Sequence, residues 1–219
     1  MQEKVIKGSI VVLVFTSVGS IFAYLIRVLF SRTLTVENYG LFYATLSLFA
    51  LTAIYIDLGF GYAIEYLLPK YIKSKDYAKA WNTFVHGLSV SFVMSIVVSI
   101  LLIILAPFLA NNYFKVAGSE NLIYIFSIYL IASTIQNGLS RVYIGLQKEK
   151  YYSSISILNW LLILSFSVLF FLFNSPNILF YVIAWTSAYV VTTIIFIFLL
   201  YKNHSFLTSN KIIWENKIL

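Results

Sequence analysis

The chain has 219 residues, of which 61% are hydrophobic and only 11% charged, against roughly 45–50% and about 25% in soluble domains. That balance excludes a soluble globular domain and describes an integral membrane protein. Cysteine is absent and the two histidines, His86 and His204, lie far apart, which removes disulfides, thiolate sites and a histidine metal centre from consideration. The net charge of +7 falls between long apolar runs, so it reads as a membrane-insertion signal and no nucleic-acid partner is expected.

A helix needs about 20 apolar residues to cross a bilayer, and six stretches qualify. They cover residues 10–30, 41–68, 83–109, 121–146, 153–173 and 178–201. The second is the longest. Pro107 stands near the end of the third, where a missing N–H costs few backbone bonds. Asn174-Ser175-Pro176-Asn177 marks the turn between the fifth and sixth. The runs lack the period-two alternation of a β-barrel. The first is longer than the apolar core of a cleavable signal peptide, so it is expected to stay as a span. Residues 202–219 form a polar tail.

Basic residues fall on alternate loops. Eleven lysines lie at the N-terminus (Lys4, Lys7), between the second and third spans (Lys70, Lys73, Lys75, Lys79), between the fourth and fifth (Lys148, Lys150) and in the tail (Lys202, Lys211, Lys217). The opposite side holds Arg32 and Lys115. The positive-inside rule then places both termini in the cytoplasm of a multi-pass cell-membrane protein. Tyr71, Tyr77, Trp81, Tyr113, Tyr151, Tyr152 and Tyr201 fall at the expected interfaces, as an aromatic belt requires.

Ionisable groups within spans are costly and mark function. Four are found: Arg27, Asp57, Glu65 and Arg141. At about 1.5 Å per residue, Asp57 and Arg141 reach similar depth on helices that run the same way, which predicts an Asp57–Arg141 ion pair. Glu65, two turns on, competes for the same arginine. Gly59 and Gly61 between the two acids allow close helix approach or a bend. The first span carries a small and polar stripe of Thr16, Gly19, Ser20, Ala23 and Arg27, and the fourth a run of Ser133, Thr134, Gln136, Asn137, Ser140 and Arg141. Together with Arg32 at the outer mouth, the substrate-path candidates are Arg27, Arg32, Asp57, Glu65, Gln136, Asn137 and Arg141. No Ser-His constellation, second membrane-centre aspartate or phosphate-cradling glycine loop occurs. No enzymatic activity, catalytic residue, metal or cofactor is therefore expected.

The stretch FSRTLTVENYGLFYATLSLFALTAIYIDLGFGYAIEYLLPKYI resembles the N-terminal region of polysaccharide biosynthesis proteins, the flippases of lipid-linked oligosaccharides within the multidrug/oligosaccharidyl-lipid/polysaccharide exporter superfamily. The resemblance rests on Arg32, on Glu37-Asn38-Tyr39-Gly40, on Asp57-Leu58-Gly59, and on Gln136, Asn137, Arg141, Gly145, Leu146 and Gln147. It implies an all-α bundle of six transmembrane helices forming one lobe of a two-lobe flippase, a hydrophilic cavity, and alternating access for a lipid-linked glycan. Such proteins carry two lobes in one chain, so a second six-helix lobe is an expected partner, as a separate chain, a missing C-terminal half or a second copy. The tail SFLTSNKIIWENKIL resembles an inter-lobe linker. Ser20 and Tyr24 stand where some lipid II flippases carry extra arginines, which argues against a peptidoglycan precursor. The alternatives are a non-transporting scaffold of a glycan-assembly complex and half of a drug or cation exporter.

Overall fold

The computed structural model describes residues 2–116, 118–173 and 177–203, with side chains described over residues 8–202. The described residues form α-helices and one π-helical turn, without a strand. The helices are α1 (Gln2–Thr33), α2 (Val36–Ile56), α3 (Phe60–Lys73), α4 (Tyr77–Phe108), α5 (Glu120–Gly145), α6 (Glu149–Phe173) and α7 (Ile178–Asn203), with the π-turn Leu109–Phe114 closing α4. Among the described residues, six helices are long and apolar enough to cross a membrane. The chain is an all-α membrane protein of six candidate spans, as its composition requires. Most of the expected polar tail, residues 204–219, lies outside the described residues.

Local chemistry sets the helix ends. Thr35 caps α2 by accepting the Asn38 N–H at 3.2 Å, and Asp76 caps α4 by accepting the Lys79 N–H at 3.2 Å. The Lys79 side chain reaches back to Asp76 at 2.9 Å, and this hydrogen bonding holds the Asp76 carboxyl below its usual range. The short α3–α4 and α5–α6 turns close alike, with Lys75 and Gln147 at positive φ. Asp76 N–H and Lys148 N–H bond back to the carbonyls of Tyr71 and Tyr143, both at 2.9 Å.

The expected second span of 41–68 is two helices. α2 stops at Ile56, Leu58 and Gly59 take φ of 46° and 84°, and α3 restarts at Phe60. A left-handed leucine costs about 1–3 kcal/mol, so something must compensate. Within a bilayer the freed backbone groups also need partners. Asp57 supplies them: its carbonyl accepts the Phe60 N–H at 2.8 Å and its carboxylate the Gly61 N–H at 3.0 Å.

Two apolar cores divide the bundle. The first gathers Ile26, Phe30, Phe42, Phe49, Phe126 and Trp185 with their neighbours toward the C-terminal end of α1. The second gathers Ile64, Leu68, Phe84, Val142, Tyr143 and Leu200 around α3. Between them lies a stratum of buried polar side chains, with Ser95 and Ser99 on α4, Ser133 and Gln136 on α5, Asn159 on α6, and Thr192 and Thr193 on α7. Several bridge helices: Ser99 donates to the Ser127 carbonyl at 3.1 Å and Thr193 to the Ala132 carbonyl at 3.2 Å. Lipid supplies no hydrophobic drive between helices, so packing and such hydrogen bonds carry the association. Helix α5 packs against α2, α3, α4, α6 and α7 and is the hub of the bundle.

Candidate functional site

The charged site forms where α3 meets α5. Close approach is possible because position 145 is glycine: a Cβ there would stand 3.1 Å from Leu68 Cδ2 and 3.2 Å from Leu68 Cβ. One turn earlier on α5, Arg141 Nη1 donates to Glu65 Oε2 of α3 at 2.6 Å. The guanidinium also lies over the Tyr62 ring, 4.4 Å from its centroid. Arg141 stands about 32 Å along α5 from Glu120, at about 1.5 Å per residue, so the cluster belongs to the end of the span near the α5–α6 turn.

The sequence-based pairing of Asp57 with Arg141 is therefore corrected: the arginine belongs to Glu65. Depth arithmetic assumed one continuous helix through position 57. The break at Leu58 and Gly59 changes the helical phase, turns the Asp57 carboxylate back onto the start of α3, and delivers Glu65 to α5. Asp57 builds the site by capping the helix that carries Glu65.

Neighbouring candidates on α5 separate by face. Asn137, four residues before Arg141, is exposed beside it, whereas Gln136 is buried. Gln136 Nε2 donates to Asn159 Oδ1 at 3.2 Å, and Asn159 Nδ2 donates to Gln136 Oε1 at 2.8 Å. This reciprocal amide pair ties α5 to α6. Sequence reasoning missed Asn159, although a lone asparagine in the middle of an apolar span was the available signal. Gln136→Leu and Asn159→Leu should each cost about 1–3 kcal/mol, because each strands a buried amide. The double replacement should cost less than either. Thermal unfolding of the four proteins in detergent checks this, and losses that simply add would contradict it.

Arg27 and Arg32 of α1 are both exposed but occupy different surroundings. Arg27 lies beside the Tyr43 phenol of α2, at the seam where α1 and α2 barely touch. Arg32 lies instead on the α1–α6 side, at the rim of a groove. α1 packs along α6, with Gly19 against the Trp160 ring. This leaves Ser17, Ser20, Tyr24, Arg27 and Ser31 as an uncovered stripe at helical spacing. α2 and α3 expose a second stripe through Ser47, Leu51, Tyr55, Leu58, Tyr62 and Tyr66. The site thus offers guanidinium groups at two levels, Arg27 and Arg141, beside helix faces that the lobe does not cover.

Comparison with known proteins agrees with this architecture. The chain is 27% identical, over its whole length, to an uncharacterized membrane protein of Methanocaldococcus jannaschii, of which it covers 45%. A MATE crystal structure in the straight conformation superposes with a TM-score of 0.78 over 90% of this chain and 45% of that one, at 13% identity. A MOP superfamily transporter from Pyrococcus furiosus, described for the reverse polarity of its binding pocket, superposes with a TM-score of 0.66 over 93% of this chain and 45% of its own, at 17% identity. The fold is that of one lobe of these transporters, and the chain spans about half the length of the relatives it matches. The family model for polysaccharide biosynthesis proteins matches residues 5–216, so the chain belongs to the polysaccharide biosynthesis protein family.

Proposed function

We propose that this chain is one lobe of a flippase that carries a lipid-linked oligosaccharide or polysaccharide precursor across the cell membrane by alternating access, with both termini in the cytoplasm. The observation that carries the reading is the placement of arginines. A polyprenyl phosphate or pyrophosphate headgroup needs cationic donors to replace its water. Arg27 offers them at the α1–α2 seam and Arg141 at the opposite end of the bundle. Only Nη1 of Arg141 is bonded to Glu65, and a guanidinium has five N–H donors in a planar fork. The pair therefore holds Arg141 in place while leaving donors for phosphate oxygens. Family membership supports the glycan class.

Reconstitution with a fluorescent lipid-linked sugar, in a complex containing this lobe, tests the reading. Replacing Arg27 and Arg141 together by Gln should reduce flipping at least tenfold. Unchanged flipping would point to a scaffold, and export of an organic cation in its place would point to a drug exporter. Orientation is tested separately, in a chain without native cysteine. Cysteines at the exposed positions Ser74 and Lys115 should be labelled from inside and from outside the cell, respectively. The reverse pattern would invert the topology.

A further inference from the structure

We propose that the groove between α1 and α6 is a site for one anionic bilayer phospholipid, held by Arg32 and distinct from the substrate path. The groove is an open trough of about 550 Å³, walled by Leu25, Val28 and Leu29 of α1 and Leu164, Val168 and Phe171 of α6. Arg32 and Thr33 are the polar residues on its lining. The Thr33 hydroxyl is already engaged, donating to the Leu29 carbonyl at 2.8 Å and accepting from the Tyr181 hydroxyl at 2.8 Å. The guanidinium is then the polar group left to face an occupant.

Shape and charge together select that occupant. The groove lies within the size range of small-ligand sites, and the Arg32 guanidinium on its rim calls for an anionic occupant. An acyl chain fits an apolar trough along two helices, and its phosphate then reaches the end of α1. Carbonyls at a helix C-terminus repel an anion, so attraction at this rim depends on Arg32, whose fork suits phosphate oxygens. The substrate headgroup is a poor candidate. Arg27 and Arg32 are five residues apart, about 140° around the helix at 3.6 residues per turn. A headgroup at the Arg27 seam cannot share this groove.

The test places a tryptophan in the groove by Phe171→Trp and measures quenching by lipids with brominated chains in vesicles of phosphatidylcholine. The parent chain, with its four tryptophans, supplies the background. Brominated phosphatidylglycerol should quench the added tryptophan at a mole fraction about tenfold lower than brominated phosphatidylcholine, the scale of one charge-assisted contact. Arg32→Gln should abolish that preference and Arg32→Lys should keep part of it. Val168→Phe, which fills the trough, should weaken quenching by both lipids. Thermal unfolding of each variant in detergent shows whether it is folded, and Arg32→Lys carries the comparison if Arg32→Gln is not. Equal quenching by the two lipids with Arg32 intact, or a preference that survives Arg32→Gln, would overturn the proposal. Neither readout involves transport, so the flippase reading stands or falls apart from it.

Discussion

Replacing Arg141 by Gln is expected to lower flipping at least tenfold in the assembled transporter, while costing only about 1 kcal/mol of stability. The two effects separate because the Glu65–Arg141 pair is about one-third exposed. Pairs screened by water contribute about 0–1 kcal/mol, whereas a fully buried pair broken on one side costs about 3–5 kcal/mol. The 2.6 Å contact is thus a positioning device more than a support of the fold. Arg141→Lys should resemble Arg141→Gln more than the parent, since an ammonium cannot fork onto two phosphate oxygens or stack on the Tyr62 ring in the same way. Glu65→Gln should have a smaller effect, because it frees the guanidinium without removing it. Exchange of the charges, Glu65→Arg with Arg141→Glu, should restore stability and leave flipping impaired. Restored flipping in the exchanged protein would show that the pair matters only as a pair. Full flipping by Arg141→Gln with normal stability would remove Arg141 from the substrate path.

The membrane class and the six spans were legible because a bilayer demands long apolar helices and little else in the sequence competes with that signal. Helices α5 and α7 run Glu120–Gly145 and Ile178–Asn203, against expected spans of 121–146 and 178–201, whereas α1 and α4 begin earlier than their apolar runs, at Gln2 and Tyr77. The break at Leu58 and Gly59 was not legible as a break. Apolar length continues through it from Leu41 to Leu68, and a glycine pair in a span suits close packing as well as a turn. What decides between them is a local hydrogen bond, Asp57 to Gly61. Spacing along the chain makes Glu65 a competitor for Arg141, but the bond it forms follows from helical phase, which spacing across a broken helix cannot supply. Gln136 and Asn137 show the same limit: adjacent in sequence, they face an interior partner and the exposed side of α5.

Reconstituted at one copy per vesicle, the 219-residue chain should not flip a lipid-linked sugar, and activity should appear only when a second lobe is present. Exposed apolar residues such as Ile54 and Tyr55 on α2 need no protein cover in lipid. The α1 stripe differs, because Ser17, Ser20 and Arg27 are polar and exposed on it. An arginine facing hydrocarbon costs about 2.5–3.5 kcal/mol at the centre of a span and less toward its ends; Arg27 stands six residues before the end of α1, so this face favours water or a second lobe over lipid. Both are supplied in transporters whose two parallel repeats are related by an axis along the membrane normal and rock against each other around a central site. The chain's 45% coverage of its relatives fits one such repeat. A cysteine at Ser20, in a chain without native cysteine, should crosslink to the second lobe when both are present. Flipping should then rise with the square of chain density if two copies assemble, or only on adding a different lobe if they do not. Flipping at full rate from single isolated chains, with Ser20→Cys open to lipid-soluble reagents throughout the cycle, would show that one lobe suffices.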